Sequence, residues 1–174
     1  MSRNIDNVML TFRKAITSNF SRIVSLYKSS IERMISNGIY QWDEKYPDEA
    51  ILAEDIKSGN MYVAMIDNAI VAVYVISENC DEAYKEGNWK NPNLPFLVIH
   101  RLCVSPDYQH KGIAKSVMIY IESQVLNQNV HVIRLDCFTK NPYAIRLYTN
   151  LDYDTVGKVT WRKGDFFLME KSIS

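Results

Sequence analysis

The segment DYQHKGIAKS (residues 107–116) combines one glycine, a small residue two positions later and two lysines. It lies between an apolar run, FLVIHRLCV, and a stretch with helical spacing, IAKSVMIYIESQVL. A turn that enters a helix in this way can bind an anion. The first backbone N–H groups of a helix have no intrahelical acceptor, and the dipole places positive charge at the same end. Together these favour phosphate. Gly112 has no Cβ to hold a ligand away from the backbone. Ala114 is nearly as small, and Lys111 and Lys115 add charge. The same residues are equally compatible with a plain strand–helix connection whose glycine relieves strain. Neither GxxxxGK[ST] nor GxGxxG is present, so the turn is not a Walker A loop or a Rossmann fingerprint.

His100 is the second group suited to chemistry. Histidine titrates near neutral pH, and period-two alternation puts His100 on the strand face of Leu102 and Val104. It is either a base or a sheet histidine with a satisfied ring. His110 lies in the turn and should meet solvent, and His131 opens a strand. Asp136 alternates with Leu135 and Cys137 and is expected to hydrogen-bond across the sheet rather than to catalyse. Cys103 and Cys137 fall in strands, where a thiol most often packs as a small hydrophobe. Cys80, Cys103 and Cys137 are widely spaced with no CxxC pair, so neither a zinc site nor a dithiol motif is expected, and no metal.

These groups need elements to hold them. VMLTFR (8–13) reads as a first strand. Apolar residues at Phe20, Ile23, Val24, Tyr27, Ile31, Met34 and Ile35 mark an amphipathic helix, capped by Ser18 or Asn19 and closed by Gly38. A second helix is expected over about 48–58, ending at Gly59. MYVAMI and AIVAVYVIS, separated by Asp67-Asn68, form a hairpin. Residues 79–95 are a loop and FLVIHRLCV is a strand. A helix over 113–126 has Ile113, Val117, Ile121 and Val125 on one stripe, and HVIRLDCF is the next strand. Asn141-Pro142 opens a short helix to Tyr148 with a favoured cap and first residue. Two last strands, about 154–161 and 166–171, turn at Lys163-Gly164. The order is β-α-α-β-β-β-α-β-α-β-β, one domain over 1–174, with a parallel crossover across 96–138. The fold class is mixed α/β, with about seven mostly antiparallel strands and four helices.

The run RLCVSPDYQHKGIA, followed by a helix, a strand and NPYAIRLY, resembles the GNAT superfamily of N-acetyltransferases, the acyl-CoA N-acyltransferase type. That family's turn, Q/R-x-x-G-x-G/A, reads here Gln109-His110-Lys111-Gly112-Ile113-Ala114, and its N-x-x-A-x-x-L-Y reads Asn141 to Tyr148. The resemblance implies acetyl-CoA binding. Backbone amides from Gln109 to Lys115 would hold the pyrophosphate. Leu102, Cys103 and Val104 would pair with the pantetheine arm as with a strand, and Asn141 would face the same arm. Tyr148 stands where the family places its catalytic tyrosine, the acid for the departing thiol. Some amine-acetylating members have a histidine at the His100 position, which would serve as base. The chain departs from the family at Ala114 and at Asp152-Tyr153, where Gly-Phe is frequent.

The acceptor side is expected in Ile39-Tyr40-Gln41-Trp42-Asp43-Glu44-Lys45-Tyr46-Pro47, since in the family this region overhangs the acceptor pocket. Trp42 and Tyr46 could wall a slot, with Asp43 or Glu44 attracting an amine and the loop bearing Tyr84 and Trp89 closing the other side. Equally, Trp42 and Tyr46 could staple the helices to the sheet. The implied reaction is direct transfer of acetyl to a primary amine in a ternary complex, on a small molecule or, alternatively, a peptide N-terminus or lysine. A non-catalytic acyl-CoA sensor and an interaction module with an inert turn are the rivals. The chain has 174 residues, 47% of them hydrophobic, with 20 basic and 20 acidic side chains. Zero net charge gives no support for nucleic-acid binding. No run approaches the roughly 18 apolar residues of a membrane span, and three sparse cysteines without a signal peptide fit a reducing cytoplasm. Composition leaves a homodimer open.

Overall fold

The computed structural model describes residues 2–5 and 8–174. In chain order its elements are β1 (Ser2–Ile5), β2 (Val8–Lys14), α1 (Phe20–Ser36), α2 (Glu49–Lys57), β3 (Met61–Ile66) and β4 (Ala69–Ser77), then β5 (Phe96–Val104), α3 (Ile113–Leu126), β6 (Val132–Phe138), α4 (Pro142–Thr149), β7 (Asp154–Trp161) and β8 (Gly164–Ser172). The fold is mixed α/β with a mostly antiparallel sheet and four helices. The seven expected strands are joined by β1, which pairs antiparallel with β2. SRNI has no apolar alternation, so its partner strand, not its own pattern, makes it a strand. Among the described residues no helix is long and apolar enough to cross a membrane.

By backbone proximity the chain forms two compact units, residues 1–76 with 101–117 and residues 77–100 with 118–174. In the first unit β1, β2, β3 and β4 pair antiparallel in sequence order. The β3–β4 hairpin turns at Asp67, which has φ 51°. The stripe of α1 buries Ile23, Val24 and Tyr27 in a core shared with Leu52 and Ile56 of α2 and Met61, Val63, Val73 and Val75 of the strands. Asp48 caps α2 by accepting the Ile51 N–H at 2.8 Å. Asn19 precedes α1 but does not cap it with its side chain. Its Oδ1 accepts from Ile16 N and Arg13 Nη1 instead.

In the second unit β5 pairs parallel with β6, β6 antiparallel with β8, and β8 antiparallel with β7. The parallel ladder runs only from Phe96↔Val132 to Ile99↔Leu135. Arg134 and Glu170, opposite one another on β6 and β8, interrupt the apolar runs with side chains only 4% and 1% exposed. Arg134 Nε donates to Glu170 Oε2 at 2.9 Å. Glu170 Oε1 accepts from Lys90 N, Asn91 N and Asn91 Nδ2 at 2.9, 3.1 and 3.2 Å. The guanidinium lies 4.2 Å from the Trp89 ring centroid and 3.8 Å from that of Phe96. A buried pair of this kind holds only when its remaining lone pairs and protons are met. Here they are met by the loop, which is thereby tied to β8. Close approach is also enforced at Gly87, where a Cβ would stand 2.6 Å from the Trp89 ring.

Candidate active site

The turn into α3 has the conformation its sequence requires. A short 3-10 turn, Pro106–Tyr108, leads to His110 at φ 60° and Gly112 at φ 75°. The glycine supplies a left-handed residue at no steric cost, and a Cβ there would meet nothing within 4 Å. The Ser116 N–H bonds to the Gly112 carbonyl at 3.0 Å, so the amides just before it lie at the open end of the helix. Lys115 is exposed. Lys111 bends back, its Nζ donating to the Asp107 carbonyl at 2.9 Å and lying 5.1 Å from the Tyr108 ring. Gln109 uses its side chain as a brace, Nε2 to the Val104 carbonyl at 3.2 Å. Ile113 is buried beneath the turn. An open backbone flanked by lysine charge fits a diphosphate.

Strand β5 departs from simple alternation. Arg101 has φ 52°, a conformation that costs a residue with a Cβ about 1–2 kcal/mol. The face expected to be shared by His100, Leu102 and Val104 is broken at this point. Several bonds hold the departure. Tyr27 Oη donates to the Arg101 carbonyl at 2.6 Å. The Arg101 guanidinium grips both Asp55 oxygens, Nε to Oδ2 at 2.9 Å and Nη2 to Oδ1 at 2.7 Å, and Nη1 donates to Tyr46 Oη at 2.9 Å. Burial holds the Tyr27 phenol well above its ordinary pKa, so it keeps its proton. Burial also raises the Asp55 carboxyl, against the opposing pull of Arg101. Cys103 belongs to the core, and burial pushes its thiol up to about 12. Leu102 and Val104 are half-buried, and the Val104 carbonyl also accepts from Ser30 Oγ at 3.4 Å.

In the second unit, Asn141 caps α4, its Oδ1 accepting the Ala144 N–H at 3.1 Å. Helix α4 ends in a left-handed turn at Asp152, φ 62°, with Asp152 N to Thr149 O at 3.1 Å and Tyr153 N to Tyr148 O at 3.0 Å. This is the Schellman arrangement usually closed by glycine. Asp152 therefore takes the left-handed place that glycine usually fills. Tyr148 is buried, its ring edge-on to Tyr153 with centroids 5.9 Å apart. Burial, then Cys137 and Asp136, push its phenol far above the ordinary range. Burial likewise raises Cys137 to about 12. Asp136, the first β6 residue past the parallel ladder, accepts from Tyr84 Oη at 2.9 Å. His100 is half-buried, with Nε2 3.2 Å from Ser77 Oγ and 3.0 Å from the Asn79 carbonyl. A carbonyl only accepts, so Nε2 carries a proton and the basic nitrogen of the neutral ring is Nδ1.

The aromatic residues expected at the acceptor separate into different roles. Trp42, 7% exposed, joins the first unit's core, its ring 5.7 Å from Tyr27. Trp89 stacks on Tyr84 at 5.5 Å and donates Nε1 to the Tyr84 carbonyl at 2.7 Å. Tyr46 is exposed, with its hydroxyl held by Arg101. Spacing gave no sign of the Arg101–Asp55–Tyr46 group or the Arg134–Glu170 pair, because their members are far apart in sequence. The only available signal was a charged residue inside an apolar strand.

The model of the acetyltransferase (GNAT) family matches residues 23–153. The chain belongs to this family. Solved structures agree with the fold. A GNAT-family acetyltransferase from Streptococcus agalactiae is 21% identical with a TM-score of 0.83, covering 95% of this chain and 96% of that one. An acetyltransferase from Staphylococcus aureus is 25% identical with a TM-score of 0.74, covering 94% and 99%. One from Salmonella typhimurium, solved with its cofactor acetyl-CoA, is 15% identical with a TM-score of 0.66, covering 95% and 94%. No curated protein sequence matches this GNAT chain.

Proposed function

We propose that this GNAT protein is a cytoplasmic N-acetyltransferase that uses acetyl-CoA to acetylate a primary amine on a small molecule, by direct attack in a ternary complex. The observation that carries the reading is the left-handed Gly112 turn, which opens the amides at the start of α3 beside lysine charge. Amides from Gln109 to Lys115 would hold the diphosphate and the Leu102–Val104 backbone would meet the pantetheine arm, while Asn141 fixes the start of α4 through its cap. When bound, acetyl-CoA supplies an activated acyl group.

The chain's own residues must manage two protons. An alkylammonium near pKa 10.4 must lose one before its nitrogen can attack, and a thiol near 8.5 must end with one. His100 is the base we assign, through Nδ1. Tyr148 holds its proton firmly because of burial. A phenol above pKa 10 does not give its proton fully to a thiolate near 8.5. Tyr148 therefore acts as a hydrogen-bond donor to the departing sulfur, and the balancing proton comes from the amine. Tyr46, with Asp43 and Glu44 near it in sequence, is the acceptor contact we assign. Trp42 anchors the same segment in the first unit's core.

Thiol release over a panel of polyamines, amino acids, aminoglycosides and peptides tests the reading. Turnover of a small amine is the expected result, and preference for a peptide would move the acceptor class. Calorimetry supplies the second arm, with acetyl-CoA binding weakened in Gly112→Leu. Binding without turnover on any amine would support a sensor instead, and no binding would overturn the assignment.

A further inference from the structure

We propose that Arg101 is a positioning residue for acetyl transfer, locking the acceptor segment 39–47 to strand β5 and thereby setting the affinity for the amine. The proposal rests on the acetyltransferase reading above.

The backbone is the first ground. A left-handed non-glycine residue inside a strand persists only where its surroundings over-determine it, and such residues gather at functional sites. At Arg101 the surroundings are specific. Its carbonyl is held by Tyr27 of α1, its Nε and Nη2 by Asp55 of α2, and its Nη1 by Tyr46 of the acceptor segment. One residue thus ties three separate pieces of chain, all within the first unit. The guanidinium fork meets the carboxylate at both oxygens, a geometry lysine cannot reproduce. The Arg101 and Asp55 side chains are each only 13% exposed, which removes most of the solvent screening between them.

The segment itself is the second ground. Asp43 and Tyr46 close a tight turn with reciprocal backbone bonds, Asp43 N to Tyr46 O at 3.1 Å and Tyr46 N to Asp43 O at 3.3 Å. Asp43 Oδ1 also accepts the Lys45 N–H at 3.0 Å. Trp42 anchors one end of this turn in the core. Its exposed end, Tyr46, is tethered by Arg101 through the hydroxyl and through ring contact at 5.9 Å. Removing the tether frees a surface segment that carries the exposed Glu44 and Tyr46, while the α3 turn is made from other bonds.

Tyr46→Phe, Asp55→Asn and Arg101→Lys test this by two independent readouts. Hydrogen exchange on peptides spanning 39–47 should accelerate about tenfold in each variant, the loss of one bond to a charged group. The KM for the amine should rise about tenfold by the same reasoning, with the KM for acetyl-CoA unchanged. Tyr46→Phe removes a single hydroxyl and keeps the fold if the charge variants do not. Unchanged exchange in a folded Tyr46→Phe protein would overturn the proposal. A parallel rise of both KM values would also overturn it, since that is what general loosening produces. If the wild type turns over no amine, acetyl transfer fails as a reading, and hydrogen exchange still decides whether Arg101 is the lock.

Discussion

Glu170→Gln removes one charge from the most buried ion pair of the second unit while keeping side-chain shape. The amide oxygen can still accept from Lys90 N, Asn91 N and Asn91 Nδ2, which contact Oε1 at 2.9–3.2 Å. The other position becomes an NH2 group facing Arg134 Nε at the 2.9 Å distance now bridged by a hydrogen bond. Arg134, 4% exposed, is then a buried cation facing a donor. Breaking a buried pair from one side costs about 3–5 kcal/mol. At about 2–4 °C per kcal/mol for a chain of this size, the melting temperature should fall by about 6–20 °C. Thermal and urea unfolding, followed by circular dichroism, measure both quantities. Adding Arg134→Met removes the stranded cation from between Trp89 and Phe96, and most of the loss should return. A single-variant loss below about 1 kcal/mol, the range of an exposed pair, would refute the argument, as would a double variant less stable than the single.

Tyr148→Phe should cut kcat by about 100-fold or more, the lower range for losing one hydrogen-bond donor to developing negative charge, while calorimetry shows acetyl-CoA affinity unchanged. Asn141→Ala removes the cap on α4 and should cost about 1 kcal/mol in urea unfolding. Asp152→Gly should add about 0.5 kcal/mol, because glycine adopts the left-handed turn without the Cβ penalty. At pH 8 a thiol reagent should label Cys80 alone, since Cys103 and Cys137 are buried with pKa values raised to about 12. Both raised values stabilise the fold fully below the unfolded thiol pKa near 8.5. That contribution should drain away as pH climbs from there through about 12, read by urea midpoints in a pH series.

Much of the fold could be read because periodicity and turn chemistry agreed. Ile113, Val117, Ile121 and Val125 are all buried, as their stripe required, and Asn141-Pro142 starts α4 where the cap rule put it. The glycine turn was equally legible, since φ 75° at Gly112 is a local property of a local sequence. Contacts that join distant positions were not legible. Nothing in FLVIHRLCV announces that Arg101 leaves the strand conformation, because the bonds that hold it come from Tyr27, Tyr46 and Asp55. The same blindness made Trp42 and Trp89 candidate walls, although each is occupied by its own neighbour, Tyr27 or Tyr84. A residue type states what a side chain can do, but its partner settles what it does.

The carbonyl of Tyr148 receives the N–H groups of both Leu151 and Tyr153, so the proposed donor shares its peptide unit with the hook that ends its helix. Lengthening or shortening the stretch from Asn150 to Tyr153 by one residue would break the bonds that Leu151 and Tyr153 make to that carbonyl. Descendants of this chain can exchange side chains along the bend far more freely than they can change its length. Insertions and deletions there should be purged even where point changes drift.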